Sequence, residues 1–222
     1  MQDIKRIRQL GVIMKILFLG DSITDMGRVK EFDGTALGYG CGYPQHVAGM
    51  LINENPMLYQ VVNRGIGGNK IVDLYARIKV DVWNHEPDVL SILIGINDIW
   101  QEIDLQDGVD IKRYEKVYRA IIEETKERLP NIKLFLCEPF VLEGSATTGA
   151  GRFEKFLEIR NYAKVVKSLA EEYGCVFVPL QTAFDKVEAE GHAKRFLYDG
   201  VHPDAAGANL IANEWIKAFK NS

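Results

Sequence analysis

The chain contains the stretch Lys15-Ile16-Leu17-Phe18-Leu19-Gly20-Asp21-Ser22-Ile23-Thr24, in which an apolar run stops at a glycine, an acid and a serine. A short β-branched and aromatic run that ends at Gly and Asp predicts a buried strand followed by a turn. Because the carboxyl ends of the strands line the ligand crevice of an open α/β sheet, Ser22 is a candidate nucleophile. A serine after Gly-Asp is also an ordinary helix N-cap, so the other strand ends must decide between the two interpretations.

Strand and helix signals alternate along the rest of the chain. The predicted strands are residues 15–19, 59–63, 88–94, 132–137 and 174–178, and the predicted helices lie near 43–54, 70–84, 110–129, 153–173 and 205–219. This alternation favours an α/β fold, in which helices cover both faces of a parallel sheet. We expect a single domain over residues 1–222, with residues 1–13 as an optional extension, and long loops at 24–42 and 143–151 beside Ser22.

The composition excludes several classes of partner. The chain has 222 residues and a net charge of −4, which argues against nucleic acid or an anionic membrane because both attract basic patches. No apolar run is long enough to cross a bilayer. The three widely spaced cysteines, Cys41, Cys137 and Cys175, indicate free thiols in a reducing compartment, so we expect a cytoplasmic protein.

A second candidate group lies near the C-terminus, in Tyr198-Asp199-Gly200-Val201-His202-Pro203-Asp204. Gly200 and Pro203 predict a turn, and Pro203 disfavours helical geometry at His202. A histidine with a carboxylate three residues earlier meets the requirement for a general base, because the carboxylate orients the imidazole and stabilises its charged form. An Asp-x-x-His turn alone is more often a local cap, and its coincidence with Ser22 favours the catalytic interpretation.

Two further strand ends offer hydrogen-bond donors. The segment Asn63-Arg64-Gly65-Ile66-Gly67-Gly68-Asn69 follows the second strand, and Gly95-Ile96-Asn97-Asp98 follows the third. A glycine N–H, the Asn97 amide and the Ser22 N–H can together stabilise the oxygen that becomes negative during acyl transfer. Tight turns and caps explain each segment singly, and either Gly67 or Gly68 can supply the N–H.

The sequence does not contain the motifs of several other common activities. Lys70 stands where a dinucleotide fingerprint needs its third glycine, and the chain has neither a Walker-type Gly-Lys-Ser/Thr nor a G-x-S-x-G elbow. His46, His85 and His192 have no carboxylate or cysteine at metal-ligand spacing, so we expect no metal and no cofactor.

These segments resemble the four motif blocks of the SGNH (GDSL-type) hydrolase family. The blocks correspond, in family order, to Gly20-Asp21-Ser22, the glycines from Gly65 to Gly68, Gly95-x-Asn97-Asp98 and Asp199-x-x-His202. The resemblance implies a flavodoxin-like α/β/α sandwich with a five-stranded parallel sheet, and ester hydrolysis without a cofactor. Ile23 stands where the name motif has leucine.

The same resemblance implies a role for each residue. Ser22 is the nucleophile, His202 the base and Asp199 its orienting partner. Gly68, with Gly67 as the alternative, and the Asn97 side chain are the oxyanion donors.

Three stretches are most similar to bacterial acetylxylan esterases: Gly20 to Asp25, Ala36 to Gly40, and Ile94 to Trp100. This similarity implies a small-molecule ester substrate, an acetylated oligosaccharide, and a homo-oligomer is compatible with the sequence. Trp100 and Tyr198 adjoin the catalytic segments and can stack on sugar rings, with packing at the rim as the alternative. Asp21 is a further candidate at the substrate site, where it can hydrogen-bond within the turn and help to hold the site, with a simple helix cap as the alternative.

Three rival functions stay open. A thioesterase or lysophospholipase would use the same residues on longer acyl chains, and an apolar channel from Ser22 would favour it. Phosphoryl transfer would use Asp21 or Asp25 as the nucleophile, but the second carboxylate of an Asp-x-Asp pattern is absent. A non-catalytic sugar-binding module would bind the ligand without turnover.

Overall fold

The computed structural model describes residues 13–149 and 151–222. The predicted N-terminal extension, residues 1–13, lies outside this range except for its last residue. No helix in the described ranges combines the length and the apolar composition that a membrane span requires.

The described residues form one five-stranded parallel sheet. Its strands are β1 (Met14–Gly20), β2 (Tyr59–Gly65), β3 (Val89–Leu93), β4 (Lys133–Cys137) and β5 (Val176–Val178), in the spatial order β2-β1-β3-β4-β5. This is the flavodoxin-like order, so the predicted fold is confirmed. The order reverses at β1, which lies between β2 and β3, and the crevice beyond the carboxyl end of β1 is where such sheets bind ligands.

Helices connect the strands and continue beyond the last one. In chain order they are α1 (Ser22–Asp25), α2 (Ala36–Tyr39), α3 (Tyr43–Glu54), α4 (Ile71–Asp81), α5 (Ile96–Leu105), α6 (Ile111–Arg128), α7 (Arg152–Phe156), α8 (Ile159–Tyr173), α9 (Gln181–Ala189), α10 (Ala193–Phe196) and α11 (Ala205–Lys220), with 3₁₀ turns at Lys30–Phe32 and Trp83–His85.

Helices cover both faces of the sheet. One layer holds α3 and α11, which contact each other, and the other holds α4, α6 and α8, with α6 in the middle. Trp215 of α11 fills the first interface, where its ring lies 5.2 Å from Phe18 and 5.0 Å from Phe135, and its Nε1–H donates to Ser91 Oγ at 3.0 Å. Every residue of β3 is buried, which is expected for a central strand covered on both faces.

The helices differ from the sequence-based expectation in several places. The sequence did not predict helix α5, because the segment from Gly95 to Asp98 suggests a turn. In the structure the turn ends at Gly95 (φ 136°), and the helix begins at Ile96. Helix α9 was also missed, and the single helix predicted at 153–173 is divided into α7 and α8. The predicted loop at 24–42 contains two short helical pieces, whereas 143–149 has only turns.

Candidate active site

Ser22 follows β1 at a turn that requires glycine. A Cβ atom on Gly20 would lie 2.5 Å from the Leu93 carbonyl oxygen, so a larger residue cannot be accommodated there. Helix α1 begins at once, and its N-cap is Asp21, whose Oδ1 accepts a hydrogen bond of 2.9 Å from the Ile23 N–H. Asp21 therefore makes the cap, and the Ser22 hydroxyl points to another partner.

That partner is His202, which lies 180 residues further along the chain. Ser22 Oγ is 2.8 Å from His202 Nε2, and His202 Nδ1 is 2.7 Å from Asp199 Oδ2. With Nδ1–H donating to the carboxylate, Nε2 accepts from the Ser22 hydroxyl. Asp199 Oδ1 also accepts the N–H groups of Val201 and His202, so the turn holds the acid rigidly. The structure thus brings Ser22, His202 and Asp199 into one hydrogen-bonded chain.

The electrostatics of this chain favour a histidine that readily takes a proton. The hydrogen bond to Asp199 raises the pKa of His202 above its ordinary 6.5, although burial opposes the shift. Burial would raise the pKa of Asp199, but the hydrogen bonds from His202 and Val201 outweigh it and keep that pKa below its ordinary value. Asp199 therefore stays ionised, and its charge can stabilise an imidazolium at His202.

Asp21 is buried beneath the nucleophile and does not line the substrate cavity. Its side chain is 1 % exposed, its Oδ2 atom has no hydrogen-bond partner in the described structure, and burial raises its pKa to about 7. The expectation that Asp21 contacts the substrate is therefore corrected. The residue caps α1, and its charge acts on His202, whose pKa it helps to raise.

The glycine turn after β2 distinguishes between the two possible oxyanion donors. The Gly67 N–H already donates to Asp25 Oδ2 at 3.0 Å, whereas the Gly68 N–H has no acceptor within the described residues. Gly68 has a φ of +79°, in the left-handed region that favours glycine. The available donors are thus the N–H groups of Ser22 and Gly68 and the Asn97 side chain.

Two helices hold the glycine turn from opposite sides. On one side, Asp25 of α1 accepts the Gly67 N–H. On the other side, Asn97 Nδ2 donates to the Asn69 carbonyl at 3.1 Å and Gln101 Nε2 donates to the Gly68 carbonyl at 2.6 Å, from successive turns of α5. The sequence suggested Asp25 only as the nucleophile of the phosphoryl-transfer alternative and did not identify Gln101, although the spacing of Asn97 and Gln101 predicts a shared helix face once α5 is known.

A cavity of about 380 Å³ opens above these groups. It is lined by Ser22, Gly68, Asn97, Trp100, Gln101, Asp104, Leu105 and His202. The four predicted groups Ser22, Gly68, Asn97 and His202 therefore face one space, and Trp100 joins them as the sequence led us to expect. Asp104 and Leu105 of helix α5 were not predicted.

Tyr198 lies beside the histidine but borders a different groove. Its ring stacks on His202 at 5.8 Å with an interplanar angle of 15°, and its side chain is exposed. The groove of about 640 Å³ that it lines lies between the 143–148 segment and residues 188–195. Its direct contact with substrate stays a prediction.

The structure shows no metal-binding arrangement around the proposed site. Within residues 13–149 and 151–222, no group of three or more His, Cys, Asp or Glu side chains is placed to hold a metal ion. The described cysteines are free, with Cys41 exposed and Cys137 buried.

Comparison with known proteins places residues 18–210 in a single family model. The matching model is the GDSL-like Lipase/Acylhydrolase family. An acetylxylan esterase of Geobacillus stearothermophilus is 38% identical over an alignment of 215 positions that covers 94% of this chain and 95% of that protein.

Solved structures agree with the sequence comparison. A protein of Parabacteroides merdae described as a GDSL-like lipase has a TM-score of 0.85 and 38% identity, with 94% of this chain and 96% of that chain covered. The Geobacillus stearothermophilus acetylxylan esterase has a TM-score of 0.82 and 37% identity, with 92% and 93% covered. Variants described as its catalytic mutants replace one serine, one aspartate and one histidine by alanine.

The hydrogen bond from the Gly67 N–H to Asp25, which holds the glycine turn, can be tested by substitution. In Asp25→Ala the Gly67 N–H loses its acceptor and the turn can rotate, so we expect kcat for an aryl acetate to fall about ten-fold or more with little change in KM. Asp25→Asn keeps one acceptor oxygen, which can serve the Gly67 N–H only at the expense of the Arg28 N–H that Asp25 Oδ1 accepts at 3.1 Å, so it should retain part of the activity. Steady-state kinetics with thermal melts check this, and wild-type kcat in Asp25→Ala would contradict it.

The raised pKa of His202 predicts the acid limb of the pH profile. Only the neutral imidazole accepts the Ser22 proton, so kcat/KM for an uncharged ester should fall as pH decreases through a midpoint above 6.5. Asp21, with a pKa of about 7, is partly ionised in this pH range, and Asp21→Asn removes that partial charge while keeping the cap oxygen, so the midpoint should move to lower pH. The control is Glu54→Gln, whose carboxylate pairs with Lys220 near the start of β2. A midpoint that Asp21→Asn leaves in place, or moves upward, would refute the electrostatic role of Asp21.

Proposed function

The chain belongs to the GDSL-like lipase/acylhydrolase family, and on this premise we propose that it removes acetyl groups from carbohydrates by a Ser-His-Asp acyl-enzyme mechanism. Family membership and the curated relative make it a serine carboxylic ester hydrolase that acts on small-molecule esters. The observation that carries the mechanism is the hydrogen-bonded chain from Ser22 through His202 to Asp199, which opens into the cavity.

The first half-reaction forms the acyl-enzyme. His202 Nε2 takes the Ser22 proton as Oγ attacks the ester carbonyl, and the carbonyl oxygen becomes negative. That oxygen accepts hydrogen bonds from the N–H groups of Ser22 and Gly68 and from the Asn97 amide. Each such donor typically lowers the barrier by about 3 kcal/mol. The tetrahedral intermediate collapses, and His202 returns the proton to the alcohol oxygen as the alcohol leaves.

The second half-reaction releases the acid. Water enters the position that the alcohol leaves, and His202 Nε2 takes one of its protons as the water oxygen attacks the acyl carbonyl. The same three donors stabilise the second oxyanion. Collapse breaks the bond to Ser22 Oγ, which regains its proton from His202. The relative whose serine, aspartate and histidine variants are described as catalytic mutants supports these roles.

The lining of the cavity supports a short acyl group on a polar alcohol. Apart from Trp100, the exposed Leu105 and Gly68, the lining side chains are polar, and no long apolar channel is built from them. Such a lining disfavours the thioesterase or lysophospholipase alternative, which needs a continuous apolar surface for a long acyl chain. The acetylxylan esterase relative supports an acetylated xylo-oligosaccharide as substrate.

A cytoplasmic location is part of the proposal. It is supported by the three free thiols, which persist in a reducing compartment. A homo-oligomer is likewise a proposal, to be checked by light scattering.

A comparison of substrates tests the proposed function. We expect kcat/KM to fall in the order acetyl, butyryl, octanoyl for matched aryl esters, and acetylated xylo-oligosaccharides to be deacetylated. Ser22→Ala should abolish both reactions while the thermal melt stays that of the wild type.

Each rival gives a different result. A preference for octanoyl would favour the long-chain alternative. Binding of xylo-oligosaccharides without turnover would favour the sugar-binding module, and unchanged turnover in Ser22→Ala would exclude the serine mechanism.

A further inference from the structure

The position of His202 shows which wall of the cavity faces the alcohol. The leaving oxygen receives its proton from His202 Nε2, so the alcohol must lie on the side of the site next to the imidazole. The Trp100 ring lies 5.9 Å from the His202 ring on the wall of the same cavity. An acetyl group is much smaller than a cavity of about 380 Å³, so the space beside Trp100 is available to the alcohol.

Asp104 continues this wall beyond Trp100, and Arg152 lies next to Asp104 just outside the cavity lining. The indole Nε1–H donates to Asp104 Oδ2 at 2.8 Å, one helical turn further along α5. Arg152 approaches the same carboxylate with both terminal nitrogens, at 2.5 Å from Oδ1 and 3.0 Å from Oδ2. Asp104 and Arg152 are 48 residues apart in the chain, and both side chains remain partly exposed, at 38% and 25%.

The wall is rigid because each member has a second anchor. Arg152 Nε donates to the Ala146 carbonyl at 2.9 Å, and its guanidinium lies 5.3 Å above the Phe156 ring. Phe156 is fully buried and meets Trp100 edge to face at 5.6 Å. A planar indole held by its N–H bond to Asp104 and by its packing on Phe156 is a preorganised surface, which binds a ligand with less loss of entropy.

We propose that Trp100, Asp104 and Arg152 bind the alcohol part of the ester as a sugar and set the enzyme's preference for it. This inference rests on the proposed function. The sugar ring places its C–H face on the indole, and its hydroxyls bond to the outer lone pairs of Asp104 and the remaining N–H groups of Arg152.

The charge of the wall agrees with a neutral, hydroxyl-rich ligand. Asp104 is paired with Arg152, and His202 is neutral when it is ready to accept the Ser22 proton, so no lining side chain of this cavity carries an unpaired charge. An anionic thioester or a cationic alcohol would find no opposite charge to bind. A neutral sugar hydroxyl needs only donors and acceptors, and charged partners make its hydrogen bonds stronger.

The test compares two substrates in variants of the pair. We measure kcat and KM for an acetylated xylo-oligosaccharide and for an aryl acetate in the wild type, Asp104→Asn, Arg152→Gln and Arg152→Lys. The ratio of kcat/KM for the sugar ester to that for the aryl ester should fall about ten-fold in Asp104→Asn and Arg152→Gln, through KM for the sugar. Arg152→Lys keeps the charge but loses the two-pronged geometry, so it should recover part of the ratio.

The matched control breaks a similar pair away from the site. Glu172→Gln removes the surface partner of Arg119 between α8 and α6 and should leave the ratio at the wild-type value. A ratio that stays at the wild-type value in Asp104→Asn and Arg152→Gln, with sugar esters still hydrolysed, would overturn the inference and spare the proposed function. If the wild type hydrolyses the aryl acetate but no sugar acetate, the proposed function fails first, and this inference fails with it.

Discussion

The site depends on a close approach of two backbones, those of helix α1 and the end of strand β2. A Cβ atom on Gly65 would lie 2.2 Å from the Asp25 nitrogen, so the helix that carries Ser22 can lie against β2 only because position 65 is glycine. This approach brings the Asp25 carboxylate to the Gly67 N–H and leaves the Gly68 N–H free of acceptors in the described chain. Ser22, the proposed nucleophile, and Gly68, the proposed oxyanion donor, are thereby placed by one packing contact rather than by two independent loops.

A second close approach brings the histidine to this centre. Gly144, in the segment after β4, lies so near the Asp199–Gly200 peptide that a Cβ atom would come within 2.3 Å of the Gly200 nitrogen. The Ala146 N–H donates to the Asp199 carbonyl, and the Leu142 N–H to that of Gly200. The same segment leads to Arg152, the first residue of α7. Arg152 pairs with Asp104, and Asp104 in turn accepts the hydrogen bond from the Trp100 indole. One loop therefore positions the base and one wall of the substrate cavity, so changes in it can alter turnover and specificity together.

Much of this arrangement is predictable from local sequence. The run from Lys15 to Leu19 marks β1 to within a residue at each end, and the strand order follows from alternating elements and the family resemblance. Ser22, Asn97 and His202 are identifiable because each follows a strand or sits in a marked turn. The Asp25 carboxylate, 42 residues before Gly67, occupies the Gly67 N–H and leaves that of Gly68 available. No local sequence pattern around the two glycines shows this contact. The pair of Asp104 and Arg152 could not be predicted for the same reason, because the two residues are 48 positions apart. Helix α5 was not predicted because Gly95 suggested only a turn.

In the proposed mechanism, Ser22 carries the acyl group between the two half-reactions. Peptide mass spectrometry of enzyme quenched during turnover of an aryl acetate measures this directly. The account predicts one acetyl group on the peptide that contains Ser22, formed as fast as the first equivalent of aryl alcohol is released. Steady turnover with no acetylated peptide, or with the acetyl group formed at that rate on another residue, would contradict it.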